Sequence, residues 1–450
     1  MSIDTARPAL SHLVNLQGGT ISREIFVSDE IYQQEQEQLF SRTWLFVGHE
    51  SQVPNPGDYF VSCMGEESVI LTRDRNGHIH VFLNTCRHRG MKVCRYDEGN
   101  AAVFTCPYHG WSYATDGQLV GVPYFKEAYH QQLDRSQWGL IEVPQMVNYK
   151  GTIWANWDPR APSFLDYMGD MKLYVDALLD SRDGSEGGSE VIGTVSKWQF
   201  PSNWKFGAEN FLGDHYHGIS HRSEILVGTG PGGPGTERHG GSSRVPRGRF
   251  RGNVAFTRLG HGSGGGPPLP GGTKQFPEFP NHPEVEEYFR QVAEERQRRI
   301  GDRLYAPAAT GTVFPNISFH SWFPRGIAVW HPRGPQMTEA WRWYFVDASA
   351  PDSVKELLRH YYMRYGGPAG MTEQDDMENW NYATVASAGT IARRHAYNYQ
   401  MASGYEEPVE GLRDAVFTEF MSEQNPRWYF KRWLEFMVAE DWGQIYPVAG

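Results

Sequence analysis

The stretch "NTCRHRGMKVCRYDEGNAAVFTCPYHGW", Asn84 to Trp111, holds three of the chain's four cysteines and two histidines. Cys86 and His88 form a C-x-H pair, Cys106 and His109 a C-x-x-H pair, and seventeen residues separate the two. Each pair falls in a predicted loop after a strand. Two thiolates and two imidazoles can bind tetrahedral zinc. They can also hold a two-iron cluster, with both cysteines on one iron and both histidines on the other. Zinc sites normally pair Cys with Cys and His with His along the chain. Here each loop supplies one of each, which suits a cluster whose two irons are ligated differently from both loops. Pro107, Gly110 and Trp111 give the second loop a tight turn and an aromatic cover.

The flanks exclude other readings of these thiols. The start, "MSIDTARPALSHLVNLQGG", has no basic region followed by an apolar one, so no signal peptide is expected. No run of 18 or more apolar residues occurs, so no membrane span is expected and the chain is read as cytoplasmic. That compartment keeps thiols reduced, which disfavours a disulfide framework. Cys63 and Cys94 lack a ligand-spaced partner and read as small buried residues. The formal net charge of -11 disfavours a nucleic acid as partner, since such binders concentrate positive charge.

Working outward, Trp44 to Pro159 reads as short strands and turns, with hairpin signals at Asn76-Gly77 and Asp116-Gly117. Helical patterns follow in "PSFLDYMGDMKLYVDALLD", in the segment opened by Pro283, in "VKELLRHYYMRYG" and in "NPRWYFKRWLEFM". Strand-like runs recur in "TVFPNISFHSWFPRGIAVWHPRG" and "EAWRWYFVDAS". An all-β domain followed by an α+β domain is the expected architecture. Gly228, Gly230 and Gly233 match G-x-G-x-x-G. They sit in a Pro-containing loop rather than between strand and helix, which discards a dinucleotide site.

A Rieske domain leaves some three hundred residues in which an electron acceptor is expected. In "ENFLGDHYHGISH", Glu209 to His221, His217 and His221 are four apart and on a helix would share a face. Two His and a carboxylate form the facial triad that leaves open positions on non-haem iron. "TEQDDMENW", Thr372 to Trp380, is the densest acidic segment of the second half, and Asp375 or Asp376 fits the third position.

With the Rieske quartet, "GDHYH" and "EQDD" in this order, the chain resembles the α (large, catalytic) subunit of Rieske non-haem iron aromatic-ring-hydroxylating dioxygenases over nearly its whole length. The resemblance implies an α+β protein: an all-β Rieske [2Fe–2S] domain and a helix-grip type catalytic domain built on an antiparallel sheet. The implied divisions are an N-terminal helical segment (1–43) packing on the catalytic domain, the Rieske domain (44–160) and the catalytic domain (161–450). It implies that Cys86, His88, Cys106 and His109 hold the cluster and that His217, His221 and Asp376 hold mononuclear Fe(II), with Asp375 the alternative. Asp214 resembles the acid that bridges a Rieske histidine of one subunit to an iron-binding histidine of the next, and Asn210 lies near the iron. Many members have four residues between the two histidines where this chain has three, so the local helix must differ. His215 points elsewhere on a helix.

The implied reaction adds both atoms of O2 to an arene, giving a cis-dihydrodiol. Expected partners are a small β subunit (three α with three β), a ferredoxin and an NAD(P)H-dependent reductase. Phe206, Phe211, Gly366 and Met371 are the expected pocket residues. A small residue at Gly366 would enlarge the pocket, which favours a bicyclic or polycyclic arene. A second reading is a Rieske monooxygenase or demethylase, or a dioxygenase of a substituted or carboxylated arene, its carboxylate held by an arginine from Arg244–Arg251. A bare electron carrier would leave the second half of the chain unexplained.

Overall fold

A computed structural model describes residues 10–236, 252–270, 279–307 and 309–445. It divides into two compact units, Phe40–Ala161 and a larger one made of the chain through Leu39 and from Pro162 onward.

The smaller unit is built of short antiparallel strands. β1 (Leu45–His49), β2 (Asp58–Met64), β3 (Glu67–Arg73), β4 (Ile79–Leu83) and β5 (Glu98–Asn100) come first. β6 (Val103–Thr105), β7 (Ser112–Ala114), β8 (Leu119–Gly121), β9 (Gln145–Tyr149) and β10 (Thr152–Asn156) follow. They form three sheets, ordered β4-β3-β2-β5, β8-β7-β6 and β9-β10-β1. The Asn76-Gly77 turn closes β3 onto β4, and the Asp74 carboxylate holds it by accepting the Asn76 and His78 N–H groups, each at 2.8 Å. The Asp116-Gly117 turn does the same for β7 and β8, with Ala114 N donating to Gln118 O at 2.9 Å. Cys86, Cys94 and Cys106 are buried with Ile70, Phe82, Phe104, Trp111 and Tyr113 in this unit's core. Burial raises the Cys94 thiol to about 12, as befits an inert packing residue.

The larger unit is organised on one antiparallel sheet. Its strands are β11 (Ser189–Val191), β12 (Ser196–Phe200), β13 (Gly252–Phe256), β14 (Gly262–Ser263), β15 (Thr310–Val313), β16 (Ile317–His320), β17 (Gly326–Pro332), β18 (Thr338–Asp347), β19 (Glu406–Pro408) and β20 (Ala415–Glu419). Among the described residues the order is β11-β18-β17-β16-β15-β14-β13-β20-β19, with β12 also pairing β18. The helices are α1 (Asp29–Glu35), α2 (Phe164–Met168), α3 (Lys172–Leu179), α4 (Trp204–Asn210), α5 (Arg222–Val227), α6 (Pro283–Ile300), α7 (Asp352–Tyr365), α8 (Glu373–Ser387), α9 (Gln424–Val438) and the short α10 (Trp442–Ile445). The segment before Leu39 is mixed: short helical turns alternate with a strand pair, Val14–Asn15 and Thr20–Ile21, that adds to Tyr397–Asn398.

Two helices position the site on this sheet. α4 lies close against β17 because Gly207 has no side chain; a Cβ there would meet the Trp330 ring at 2.5 Å. α8 packs nearby, with Trp380 edge-on to Trp330 at 5.4 Å between ring centroids. Three acids, Glu373, Asp375 and Asp376, fill the first turn of α8. Carboxylates are favoured there because the unpaired N–H groups of a helix start carry partial positive charge. No described helix is long and apolar enough to cross a membrane.

Candidate metal centres

In the smaller unit two loops repeat one geometry. Cys86 N donates to Met91 O at 2.8 Å and Gly90 N to Cys86 O at 2.9 Å; Cys106 N donates to Trp111 O at 2.8 Å and Gly110 N to Cys106 O at 3.0 Å. Each loop turns through a glycine with positive φ, +71° at Gly90 and +74° at Gly110, a conformation that costs other residues energy. The loops bring the four ligand-type side chains together. The His88 and His109 rings meet edge to face at 4.6 Å. The Cys106 thiol lies within hydrogen-bonding reach of Cys86, and burial raises its pKa. Burial first, then His109 and Arg89, lowers the His88 pKa, which keeps the imidazole in the neutral form that binds iron. His88 Nδ1 is buried without a hydrogen-bond partner. A buried nitrogen left bare beside two thiols and a second imidazole fits a cluster ligand. Trp111 stacks parallel on His88 at 5.1 Å. Tyr113 was not foreseen from sequence. Its oxygen accepts Arg87 N at 3.1 Å, which leaves its proton for the Cys86 sulfur at 3.3 Å.

In the larger unit His217, His221 and Asp376 each aim one donor atom at a common point. His217 Nε2 and His221 Nε2 are 3.1 Å apart, and Asp376 Oδ1 is 3.4 Å from the first and 3.1 Å from the second. Ligands about 2.1 Å from one ion, at right angles to each other, lie roughly 3 Å apart, so the spacing fits a shared divalent cation. The other ring nitrogens fix the tautomers. His217 Nδ1 bonds the Asp214 carbonyl, and His221 Nδ1 lies 3.3 Å from Asp375 Oδ2. Burial alone would depress both imidazoles. For His217 the Asp214 hydrogen bond and the Asp376 charge outweigh it, and for His221 the Asp376 hydrogen bond and charge do, so both pKa values rise. A field that retains a proton there also attracts a metal cation.

The backbone differs from the single helix expected from the spacing. α4 ends at Asn210; His217 belongs to a 3-10 turn, His215–Ile219, and His221 is the residue that caps α5. Gly213, at φ +107°, breaks the run before His217. His215 is turned away, bonding Gly264 O at 3.0 Å and stacking on Phe420 at 3.9 Å. Asp214 sits beside His217, its Oδ2 3.5 Å from Nδ1, and its N–H donates to the Asn210 carbonyl at 3.3 Å. On α4, burial pushes the Glu209 carboxyl up to about 8, and the Tyr399 hydroxyl donates to it at 2.8 Å.

The expected pocket residues divide. Phe211 is tilted against His320 at 4.9 Å and Trp330 at 5.8 Å. Phe206 stacks instead on Phe26 at 4.6 Å and meets Tyr397 edge-on, in the packing around the N-terminal segment. Met371 is 38% exposed. Gly366 adds no empty space, because a Cβ there would collide with the Tyr344 hydroxyl. Tyr344, from β18, fills the volume that a larger residue at 366 would take. His320, Trp330 and Arg342 were missed from sequence; they come from strands whose apolar runs read as plain core. The segment Arg244–Arg251 lies outside the described residues.

A cradle for an electron-relay cluster and a three-ligand iron cradle in one chain are the equipment of an oxygenase that activates O2 with electrons supplied from outside. The chain matches the family model for the Rieske [2Fe-2S] domain over residues 43–144 and that for the ring hydroxylating alpha subunit catalytic domain over 181–416. It is 38% identical over 446 residues to the biphenyl 2,3-dioxygenase subunit alpha of Rhodococcus jostii (strain RHA1), covering 97% of this chain and 93% of that one. It is 37% identical over 440 residues to the benzene 1,2-dioxygenase subunit alpha of Pseudomonas putida, covering 96% and 94%. Among solved structures, naphthalene 1,2-dioxygenase from Rhodococcus sp. bound to indole matches with a TM-score of 0.78 at 34% identity, covering 95% of this chain and 98% of that one. The chain belongs to the alpha-subunit family of aromatic-ring-hydroxylating dioxygenases, oxidoreductases with a Rieske [2Fe–2S] cluster and a mononuclear iron.

Proposed function

We propose that this chain cis-dihydroxylates an unsubstituted or lightly substituted arene of one or two rings, and that His217, His221 and Asp376 hold its oxygen-activating iron. The observation that carries the reading is the convergence of His217 Nε2, His221 Nε2 and Asp376 Oδ1 within 3.1–3.4 Å of one another. Three ligands leave iron positions free, and iron with free positions supplies O2 activation when electrons arrive. Cys86, His88, Cys106 and His109 hold the cluster that relays those electrons. The protein's own residues do the rest. Asp214 and Asp375 hold the imidazole tautomers, Asn210 precedes the loop that carries Asp214 and His217, and Phe211 packs on His320 and Trp330 at the end of α4.

The substrate class is supported by relatives that act on biphenyl, benzene and naphthalene, by their names. Electrons come through separate proteins, a ferredoxin and an NAD(P)H-dependent reductase. The chain assembles in the cytoplasm as three α with three β subunits. Asp214 links one subunit's iron histidine to the neighbour's Rieske histidine. The test is reconstitution with ferredoxin, reductase and a panel of biphenyl, naphthalene, benzene and benzoate under 18O2. A cis-dihydrodiol of a hydrocarbon carrying both labelled atoms is expected. A product with one labelled atom, or turnover of benzoate alone, would replace this reading by the monooxygenase or the carboxylated-arene alternative.

One further result follows for the relay. Tyr113→Phe removes the hydroxyl that donates to the Cys86 sulfur at 3.3 Å. That bond stabilises the electron-rich reduced cluster more than the oxidised one. The potential should therefore fall by on the order of 40 mV, which is about 1 kcal/mol for a one-electron couple. Redox titration followed by the Rieske absorption measures it, and an unchanged or higher potential would contradict the assigned bond.

A further inference from the structure

We infer that Arg342 is a positioning residue for the mononuclear iron site: its buried ion pair with Glu373 ties the first turn of α8, and with it Asp376, to the central sheet. The inference rests on the reading that His217, His221 and Asp376 are the iron ligands.

Arg342 lies in β18, between strands β12 and β17. Its guanidinium pairs with the Glu373 carboxylate, and the two side chains are 3% and 6% exposed. Glu373 is the first residue of α8. Its other oxygen accepts the Gly367 N–H at 2.8 Å, which closes the turn joining α7 to α8. Asp376 is three residues further on, one turn along the same helix face. The guanidinium also rests on aromatic rings, 4.9 Å from the Phe211 centroid and 5.6 Å from that of Trp330. Phe211 follows Asn210 directly and leads into the loop that carries Asp214 and His217. One planar cation therefore touches both arms of the triad, the carboxylate arm by charge and the histidine arm by stacking.

Stability alone does not account for this choice. A buried ion pair is often no more stabilising than apolar residues of the same volume. What an apolar residue lacks is directionality. A charged partner fixes how deep the N-terminus of α8 sits and how it is rotated, and Asp376 Oδ1 must meet two imidazole nitrogens at once.

The test uses full-length holoprotein with its Rieske cluster in place. The mononuclear iron is removed by a chelator, and Co(II) is titrated into the vacated site. Arg342→Met, Glu373→Gln and Arg342→Lys are compared with the parent, together with the Rieske absorption and the thermal unfolding midpoint. Arg342→Met and Glu373→Gln should weaken Co(II) binding about 10- to 100-fold, the range found for groups that orient ligands, with parental Rieske absorption and an unfolding midpoint that the broken pair lowers but that stays above the titration temperature. Arg342→Lys should recover most of the affinity, since it keeps the charge. Parent-like Co(II) affinity in folded Arg342→Met protein would overturn the inference. So would loss of the fold in all three variants, because the pair would then hold the domain and not the ligand. Asp376→Ala is titrated alongside: if it binds Co(II) as the parent does, the ligand reading itself has failed; if it does not, a parent-like Arg342→Met fails the positioning role alone.

Discussion

Asp376→Ala should yield a folded chain with about two irons where the parent holds about three, an unaltered Rieske spectrum and no detectable dihydrodiol. The reason lies in the charge and count of the donors. His217 and His221 present two nitrogens 3.1 Å apart, and among the described residues Asp376 Oδ1 is the carboxylate oxygen that faces both. Without it, two imidazoles remain to hold a dication. Asp375 cannot substitute, because its oxygen lies 3.3 Å from the far nitrogen of His221, Nδ1, and bringing it to Nε2 would require turning the first turn of α8. Asp375→Ala should therefore keep the iron more weakly, by about 10- to 100-fold in affinity. Iron analysis beside the absorption spectrum separates the two variants. An Asp376→Ala protein that retained its third iron would place the carboxylate ligand elsewhere in the chain.

The relay site was legible in the sequence because it is local. Four ligand-type side chains lie between Cys86 and His109, and two glycines mark the turns that bring the loops together. The hairpins at Asn76-Gly77 and Asp116-Gly117 were legible for the same reason: a turn is decided by a few adjacent residues. The candidate iron site was legible in residue type but not in backbone. A spacing of four suggests one helix face, yet the helix ends at Asn210, Gly213 turns the chain, and the histidines are placed by a 3-10 turn and a cap. Its carboxylate lies more than 150 residues away, and no local rule could choose between Asp375 and Asp376; the resemblance made that choice. The pocket was least legible. Phe206 and Phe211 are five apart, and only the end of α4 between them decides that one faces Phe26 while the other faces Trp330. Gly366 looked like space, but the space is taken by Tyr344 from a strand some twenty residues earlier. Such outcomes depend on which strand lies beside which helix, and periodicity does not encode that.

The same limit hid a buried charge whose removal should strongly destabilise the catalytic unit. Lys205 reads in the sequence as an ordinary polar position in "NWKFGAEN". In the fold its Nζ lies 2.6 Å from Glu35 Oε1, and neither side chain is exposed. Glu35 also accepts Trp433 Nε1–H at 2.7 Å and Trp204 Nε1–H at 3.0 Å, so one carboxylate joins α1, α4 and α9. Burial lowers the lysine's pKa and the Glu35 charge opposes it, which makes each ion the other's main compensation. Lys205→Met leaves an anion in the core with two indole donors and no countercharge, at a cost of about 3–5 kcal/mol. Unfolding should shift to lower urea and lower temperature, read by the protein's tryptophan fluorescence. Lys205→Met combined with Glu35→Gln should recover part of the loss, because the neutral amide keeps an acceptor for one of the two indoles and removes the stranded charge. A Lys205→Met protein as stable as the parent would mean that the indole hydrogen bonds, not the ion pair, hold the three helices together.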